Sequence, residues 1–368
     1  MPSAPITPVA RRPQDDAGVI DVEAREVTDS AAAREAPQVA AHVPSAEPAP
    51  SVDADGGRTD AFPRTGQFIR SSHAHAAGKL DYKLFVPPGH QGQALPLIVM
   101  LHGCTQDPDD FAAGTGMNDL ALEKGFFVLY PAQAPNANAQ RCWNWFKGGH
   151  QRRGEGEPAW IAGMTRAVIE QYGIDSKRVY VAGLSAGGAM AAIMGDTYPD
   201  IFSAIGVHSG LPTGAATDVT SAFAAMQGRT STMPPGKLRS LEIERPARHN
   251  ATPPTIVFHG DADTTVRPVN GERVVTACMD STPSAPGSRR TTEEQRRGRS
   301  NTGREYTWGV HRDASGRAVS EHWVIHGAGH AWSGGSARGS FTDPQGPDAS
   351  REMVRFFLEN GRRPTSAS

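Results

Sequence analysis

Short, continuous apolar runs punctuate the middle of the chain: LPLIVMLHG at 95–103, GFFVLYPAQ at 125–133, VYVAG at 179–183, FSAIGVHSG at 202–210 and TIVFHG at 255–260. Each is strand-sized and ends in turn residues, the pattern of strands buried on both faces. Between them the apolar spacing becomes helical: Trp160, Ile161, Met164, Val168 and Ile169 share one face, as do Met190, Ile193 and Met194. Strand and helix alternate, which predicts an α/β fold on a mostly parallel central sheet with helices on both faces.

The flanks read differently. LDYKLFVPPG at 80–89 is a strand stopped by Pro87 and Pro88, and apolar alternation begins near GQFIRSS. YTWGVHRD (306–313) and AVSEHWVIHG (318–327) flank the turn-forming ASGR and predict a hairpin; PDASREMVRFFLENG predicts a last helix ended by Gly361. The polar stretch 228–254 and the arginine-rich stretch 281–304, with Arg289, Arg290, Arg296, Arg297, Arg299 and Arg304, are expected to be solvated surface insertions. The Ala/Pro-rich text of 1–62 has too little to bury to offset its ordering entropy, so it is expected to be a disordered tail. The expected organisation is that tail, a folded domain over 63–362, and a disordered end at 363–368.

Composition narrows the partners. Of 368 residues 38% are hydrophobic, enough for a sizeable core, and a formal net charge of −2 supplies no general attraction to polyanions. No nucleic-acid partner is expected, and no run approaches the roughly 20 apolar residues of a membrane helix. Three cysteines leave at least one thiol free; a bridge between Cys104 and Cys142 stays open. The first residues lack the pattern of a secretory signal, so the residues themselves do not support export.

Chemistry concentrates in GLSAG (183–187), where a serine sits between glycines at the seam of a strand and a helix. A hydroxyl is a poor nucleophile unless a base takes its proton and donors receive the oxyanion that it generates. A sharp strand-to-helix turn exposes Ser185 Oγ, and Gly183 and Gly187 let the turn close without a clash. The following helix offers the Ala186 N–H as one oxyanion donor, and the LHGCTQ loop (101–106) offers the Cys104 N–H as another. An orienting acid and then a base should follow, each just past a strand. TIVFHGDADTTV supplies Asp263 and HWVIHGAGHAW supplies His330. Asp261 sits too close to its strand and reads as a turn cap, and His326 is expected still within its strand.

Five ordered motifs, LHGCTQ, CWNWF (142–146), GLSAGGAM (183–190), HGDADTTV (259–266) and GAGHAWSGG (327–335), resemble the α/β-hydrolase esterases related to poly(3-hydroxybutyrate) (PHB) depolymerases, a family that includes feruloyl and acetylxylan esterases. The resemblance covers roughly residues 66–360. It implies an α/β-hydrolase fold with Ser185 as nucleophile, Asp263 as acid, His330 as base, and Cys104 and Ala186 as oxyanion donors. The implied activity is carboxylic ester hydrolysis through an acyl-enzyme, without a cofactor, on short-chain poly- or oligo-hydroxyalkanoate esters. Feruloyl or acetylxylan esters are the alternative within the same chemistry. A non-catalytic granule- or surface-binding protein, tethered by its proline-rich tail, is the alternative outside it, and a peptidase is a third. Members that attack extracellular polymer granules usually carry a signal peptide and an appended substrate-binding domain; neither is seen here, so attack on crystalline polymer is not expected. The resemblance implies a secreted protein; the cytoplasm is the alternative, since the first residues show no secretory signal.

Aromatic faces near these motifs, Trp143, Trp145 and Trp332, are candidates for substrate contact, with core packing as the rival role. His102, His259, His322 and His326 lack ligand spacing, so no metal is expected.

Overall fold

In the computed structural model the chain divides into Met1–Thr59 and Asp60–Ser368. The structure describes residues 65–75, 78–229, 252–281, 292–313 and 315–361, all in the second unit. The expected tail at 1–62, the end at 363–368 and most of the 228–254 insertion lie outside the described residues.

The apolar runs form the middle of a ten-stranded sheet. β3 (Leu97–Leu101), β4 (Phe127–Pro131), β5 (Val179–Leu184), β6 (Ala204–His208), β7 (Thr255–Gly260) and β10 (Ala318–Ile325) are mutually parallel, in the order β4-β3-β5-β6-β7-β10. Antiparallel strands close both edges: β2 (Gly78–Val86) and β1 (Gln67–His75) on one side, β9 (Glu305–Arg312) and β8 (Thr292–Arg299) on the other.

Alternate residues of the central strands feed two separate cores. Leu97, Val99 and Leu101 of β3, with Val179 and Val181 of β5, meet α3 (Gly156–Tyr172), α4 (Ala186–Thr197) and α6 (Val269–Ser281). Ile98 and Met100, with Tyr180 and Ala182, face the other way, toward α1 (Pro108–Thr115), α2 (Met117–Lys124) and α7 (Ala349–Asn360). Both faces of the sheet are therefore covered, the arrangement that continuous apolar strands require. A short helix α5 (Val219–Met226) and a two-strand ribbon, β11 (Trp332–Ser333) with β12 (Thr342–Asp343), complete the set. Among the described residues no helix is long and apolar enough to cross a membrane.

One expectation needs correction. Residues 292–299, expected as part of a solvated loop, are the edge strand β8, paired along its length with β9. An edge strand gains its ladder hydrogen bonds without burying apolar side chains, and its arginines discourage pairing with another chain. Composition alone therefore misreads it.

Among the described glycines the tightest approach to another backbone segment lies where α4 leaves β5. A Cβ on Gly187 would stand 2.0 Å from the Leu101 carbonyl oxygen, and one on Gly183 would stand 2.4 Å from the Gly187 carbonyl. Only residues without side chains let helix and strands come this close.

Two strands end in fully buried histidines. His102, after β3, donates from Nδ1 to the Gly103 carbonyl at 2.8 Å and accepts the Gln133 N–H at Nε2, 3.1 Å. His208, the last residue of β6, places Nδ1 3.2 Å from Ser209 Oγ and accepts the Ser333 N–H at Nε2, 2.9 Å. Each ring uses one nitrogen as an acceptor and has no carboxylate in contact, so it is neutral. Burial pushes His102 down to about 4 and His208 well below its ordinary range.

Two outcomes follow from this packing. Gly187→Ala must push α4 off β3 and is expected to cost about 3 kcal/mol, the upper end for overpacking; urea unfolding measures it, and an unchanged midpoint would contradict the close contact. Between about pH 4 and 6.5 an unfolded His102 binds a proton that the folded one refuses. Stability is therefore full above pH 6.5 and falls with pH through that window, by up to about 1.4 kcal/mol per pH unit for each such group. Unfolding free energies at pH 7, 6 and 5 check the sign; a flat profile would contradict it.

Candidate active site

All the sequence-selected polar residues lie on loops at the C-terminal ends of the parallel strands, where open α/β sheets place their sites. Ser185 joins β5 to α4, Asp263 follows β7, His330 follows β10 and Cys104 follows β3. In the sheet β5, β6, β7 and β10 are successive neighbours, so Asp263 and His330 leave adjacent strand ends and one strand, β6, separates them from the strand that carries Ser185.

Ser185 has φ 57° and ψ −118°, a conformation that L residues rarely adopt and that costs on the order of 1–3 kcal/mol. Tertiary contacts hold it there. The Ser185 N–H donates to the His208 carbonyl at 2.9 Å, and the Ser185 carbonyl accepts the Ala189 N–H at 2.9 Å. Ser185 is partly buried on this turn.

Asp263 is 1% exposed and its two carboxylate oxygens are divided between tasks. Oδ1 accepts the Thr265 and Val266 N–H groups, both at 2.9 Å, which fixes the carboxylate plane. Oδ2 lies 2.7 Å from His330 Nδ1 and 3.5 Å from His259 Nε2. Burial alone would raise this carboxyl, but the contacts with His259 and His330 and the backbone donors outweigh it and hold the group far below the usual carboxylate range. The charge on Asp263 is thus kept at neutral pH, and His330 Nδ1 carries its proton toward that charge.

A second Asp–His pair braces the loops that carry the first. Asp261 Oδ2 meets His326 Nδ1 at 2.8 Å, Asp261 Oδ1 accepts the Gly327 N–H at 2.6 Å, and His326 Nε2 contacts Thr307 Oγ1 at 2.9 Å. β10 ends at Ile325, so His326 lies just past its strand rather than within it, and Asp261 caps this junction. Backbone bonds from Asp261 N–H to the Ile325 carbonyl and from Ala262 N–H to the Ala328 carbonyl, each 3.0 Å, add to the brace.

His208 is a site residue that sequence reasoning misses. Its carbonyl holds the Ser185 N–H while its ring holds the Ser333 N–H, three residues beyond His330. One residue therefore sets the nucleophile turn and the base loop relative to each other. No local signal marks it, because both partners are distant in sequence.

The loop after β3 presents the Cys104 amide. Its neighbours are committed: Gly103 N–H donates to Gln106 Oε1 at 2.9 Å, and Thr105 N–H donates to the Gln140 carbonyl at 2.6 Å. Cys104 N–H has no acceptor among the described residues. Ala186 is the first residue of α4, where a backbone N–H has no partner within the helix. Cys104 is bonded to Cys142, and Cys278 is a buried free thiol.

The tryptophans take the core role rather than the substrate-facing one. Trp143, Trp145 and Trp332 are 0%, 6% and 1% exposed. Trp143 Nε1 donates to the His102 carbonyl at 3.1 Å, and Trp332 Nε1 donates to Ser350 Oγ at 3.0 Å while its ring stacks on His208. Such large rings gain more by filling the base of the site than by lining its mouth.

Comparison with known proteins shows the family and the fold of the chain. Residues 80–299 match the family model described as esterase PHB depolymerase. Poly(3-hydroxyalkanoate) depolymerase C of Paucimonas lemoignei is 34% identical over 69% of this chain and 58% of its own length. Acetylxylan esterase A of Aspergillus ficuum is 31% identical over 47% of this chain and 58% of its own. The chain spans a little over half the length of these relatives. Among solved structures an acetyl xylan esterase from Aspergillus awamori superposes with a TM-score of 0.59 at 22% identity, over 79% of this chain and 99% of that one, which shows the shared α/β-hydrolase fold. With 220 consecutive residues under the family model, the chain belongs to the PHB depolymerase family of esterases.

Proposed function

We propose that the protein is a serine esterase in which Ser185 is the nucleophile, His330 the general base, Asp263 its orienting acid, and the Cys104 and Ala186 amides the oxyanion donors. The observation that carries this reading is the 2.7 Å contact between His330 Nδ1 and an Asp263 held as a carboxylate, at the same end of the sheet as the strained Ser185 turn. With its Nδ1 proton directed at Asp263, His330 keeps Nε2 as the basic nitrogen for the serine proton. As Ser185 Oγ attacks an ester carbonyl, Asp263 stabilises the imidazolium and the two amides receive the developing oxyanion. The alcohol leaves with the proton from His330, and water activated by the same histidine releases the acid.

The substrates proposed are short-chain hydroxyalkanoate esters or oligomers. The name of the Paucimonas relative, together with its 34% identity over most of the described domain, supports this choice. Acetylated polysaccharide is the second reading, supported by the Aspergillus ficuum relative over a shorter stretch.

In the wild-type protein a fluorophosphonate is expected to label Ser185. Ser185→Ala should lose that labelling and about 10⁶-fold in kcat on p-nitrophenyl butyrate, and Asp263→Asn about 10⁴-fold, as in other serine hydrolases. Retained hydrolysis in Ser185→Ala would overturn the mechanism, and an unlabelled wild type would favour a binding role. Turnover of 3-hydroxybutyrate trimer above that of acetylated xylo-oligosaccharide and methyl ferulate is the expected ranking; the reverse order selects the second reading.

A further inference from the structure

The Cys104 amide serves as an oxyanion donor only if its loop is held still, and the loop has little structure of its own. Its two firmest ties, the disulfide to Cys142 and the Thr105 N–H bond to the Gln140 carbonyl, both reach into the segment 138–142. That segment is irregular too. Whatever fixes it fixes the donor.

At its base lies a carboxylate with no exposed surface. Glu157, the second residue of α3, has a side chain 0% accessible to solvent. Its Oε1 accepts Gln133 Nε2 and Asn144 Nδ2, each at 2.6 Å, and its Oε2 accepts the Asn144 N–H at 2.7 Å and lies 3.3 Å from His150 Nδ1. The positive end of the α3 dipole adds to this anion site. Gln133 Nε2 also donates to the Cys142 carbonyl at 2.9 Å, and the Gln133 N–H donates to His102 Nε2. Trp143, between Cys142 and Asn144, donates to the His102 carbonyl. From Glu157, then, two short paths lead to Cys104: through Gln133 and His102 along the loop that follows β3, and through Gln133 and Cys142 across the disulfide.

A buried charge is costly unless its hydrogen bonds are complete, so a glutamate here needs a reason. We propose that Glu157 is the positioning residue of the oxyanion hole: it collects the N–H donors of the 133–144 segment and thereby sets where the Cys104 amide points. The role needs an acceptor with two oxygens. A glutamine in its place would turn an NH₂ group toward donors and release at least one of them. The inference rests on the Ser185 esterase reading and extends it to a residue that touches no substrate.

Glu157→Gln and, as a second variant, Gln133→Met, which keeps the carboxylate and its Asn144 donors but removes the amide that joins Glu157 to the Cys142 carbonyl and receives the Ala134 N–H, test this. Active sites are titrated with a fluorophosphonate, so that loss of folded protein does not count as loss of rate. Per titrated site, kcat on p-nitrophenyl butyrate is expected to fall ~10- to 100-fold, short of the 10²–10³ seen when an oxyanion donor is removed outright. KM should stay within about threefold, and inhibition by a butyryl trifluoromethyl ketone, which forms a tetrahedral adduct, should weaken by the same factor as kcat. If Glu157→Gln fails to accumulate, Gln133→Met decides the question by itself. Unchanged kcat per titrated site in the variants that fold, beside a labelled wild type, overturns the role of Glu157; an unlabelled wild type overturns the esterase reading itself.

Discussion

The contact on which the rest of the site depends is the approach of α4 to the ends of β3 and β5. With the Cβ position of Gly187 only 2.0 Å from the Leu101 carbonyl oxygen, the helix can begin immediately after Ser185, and the chain must reverse within one strained residue. The strain is tolerable because the turn is tied on both sides, by the His208 carbonyl and by the first turn of α4. Local conformational cost is thus met by hydrogen bonds from the surrounding structure, which over-determine the strained residue.

Around that turn the protein prefers neutral groups wherever it buries them as spacers, and keeps charge where charge has a task. His102 and His208 are held neutral by burial and by hydrogen bonds that use one ring nitrogen as an acceptor. Asp263 and Glu157, equally hidden, remain surrounded by donors. One carboxylate faces the candidate base and the other secures the segment bonded to the candidate oxyanion loop.

The central strands, and the strand-end positions of the candidates Ser185, Asp263 and His330, are legible in the sequence because their signals are local. Continuous apolar runs mark strands covered on both faces, and a serine between glycines, or an acid just beyond a strand, is visible within a few positions. β8 is not legible, since an edge strand needs no apolar face and its arginines resemble those of a loop. The helix α1 escapes notice although Asp107 caps it and Pro108 opens it, because its eight residues carry too short an apolar pattern to stand out. His208, Gln133 and Glu157 act through partners up to 125, 31 and 24 positions away, and no spacing rule reaches that far. The tryptophans show the converse limit: the sequence places them near the motifs but has no means to tell a core wall from a substrate wall, and burial decides for the core.

The central claim is geometric, that one serine, one imidazole and two backbone amides converge on a single reacting carbon. A crystal structure of the protein inhibited by a p-nitrophenyl alkylphosphonate tests it directly. The account predicts phosphorus bonded to Ser185 Oγ, one phosphonyl oxygen about 2.7–3.1 Å from both the Cys104 and Ala186 nitrogens, and His330 Nε2 within hydrogen-bond reach of the serine oxygen. A phosphonate on another residue, or an adduct whose oxygen points away from Cys104 and Ala186, would contradict it.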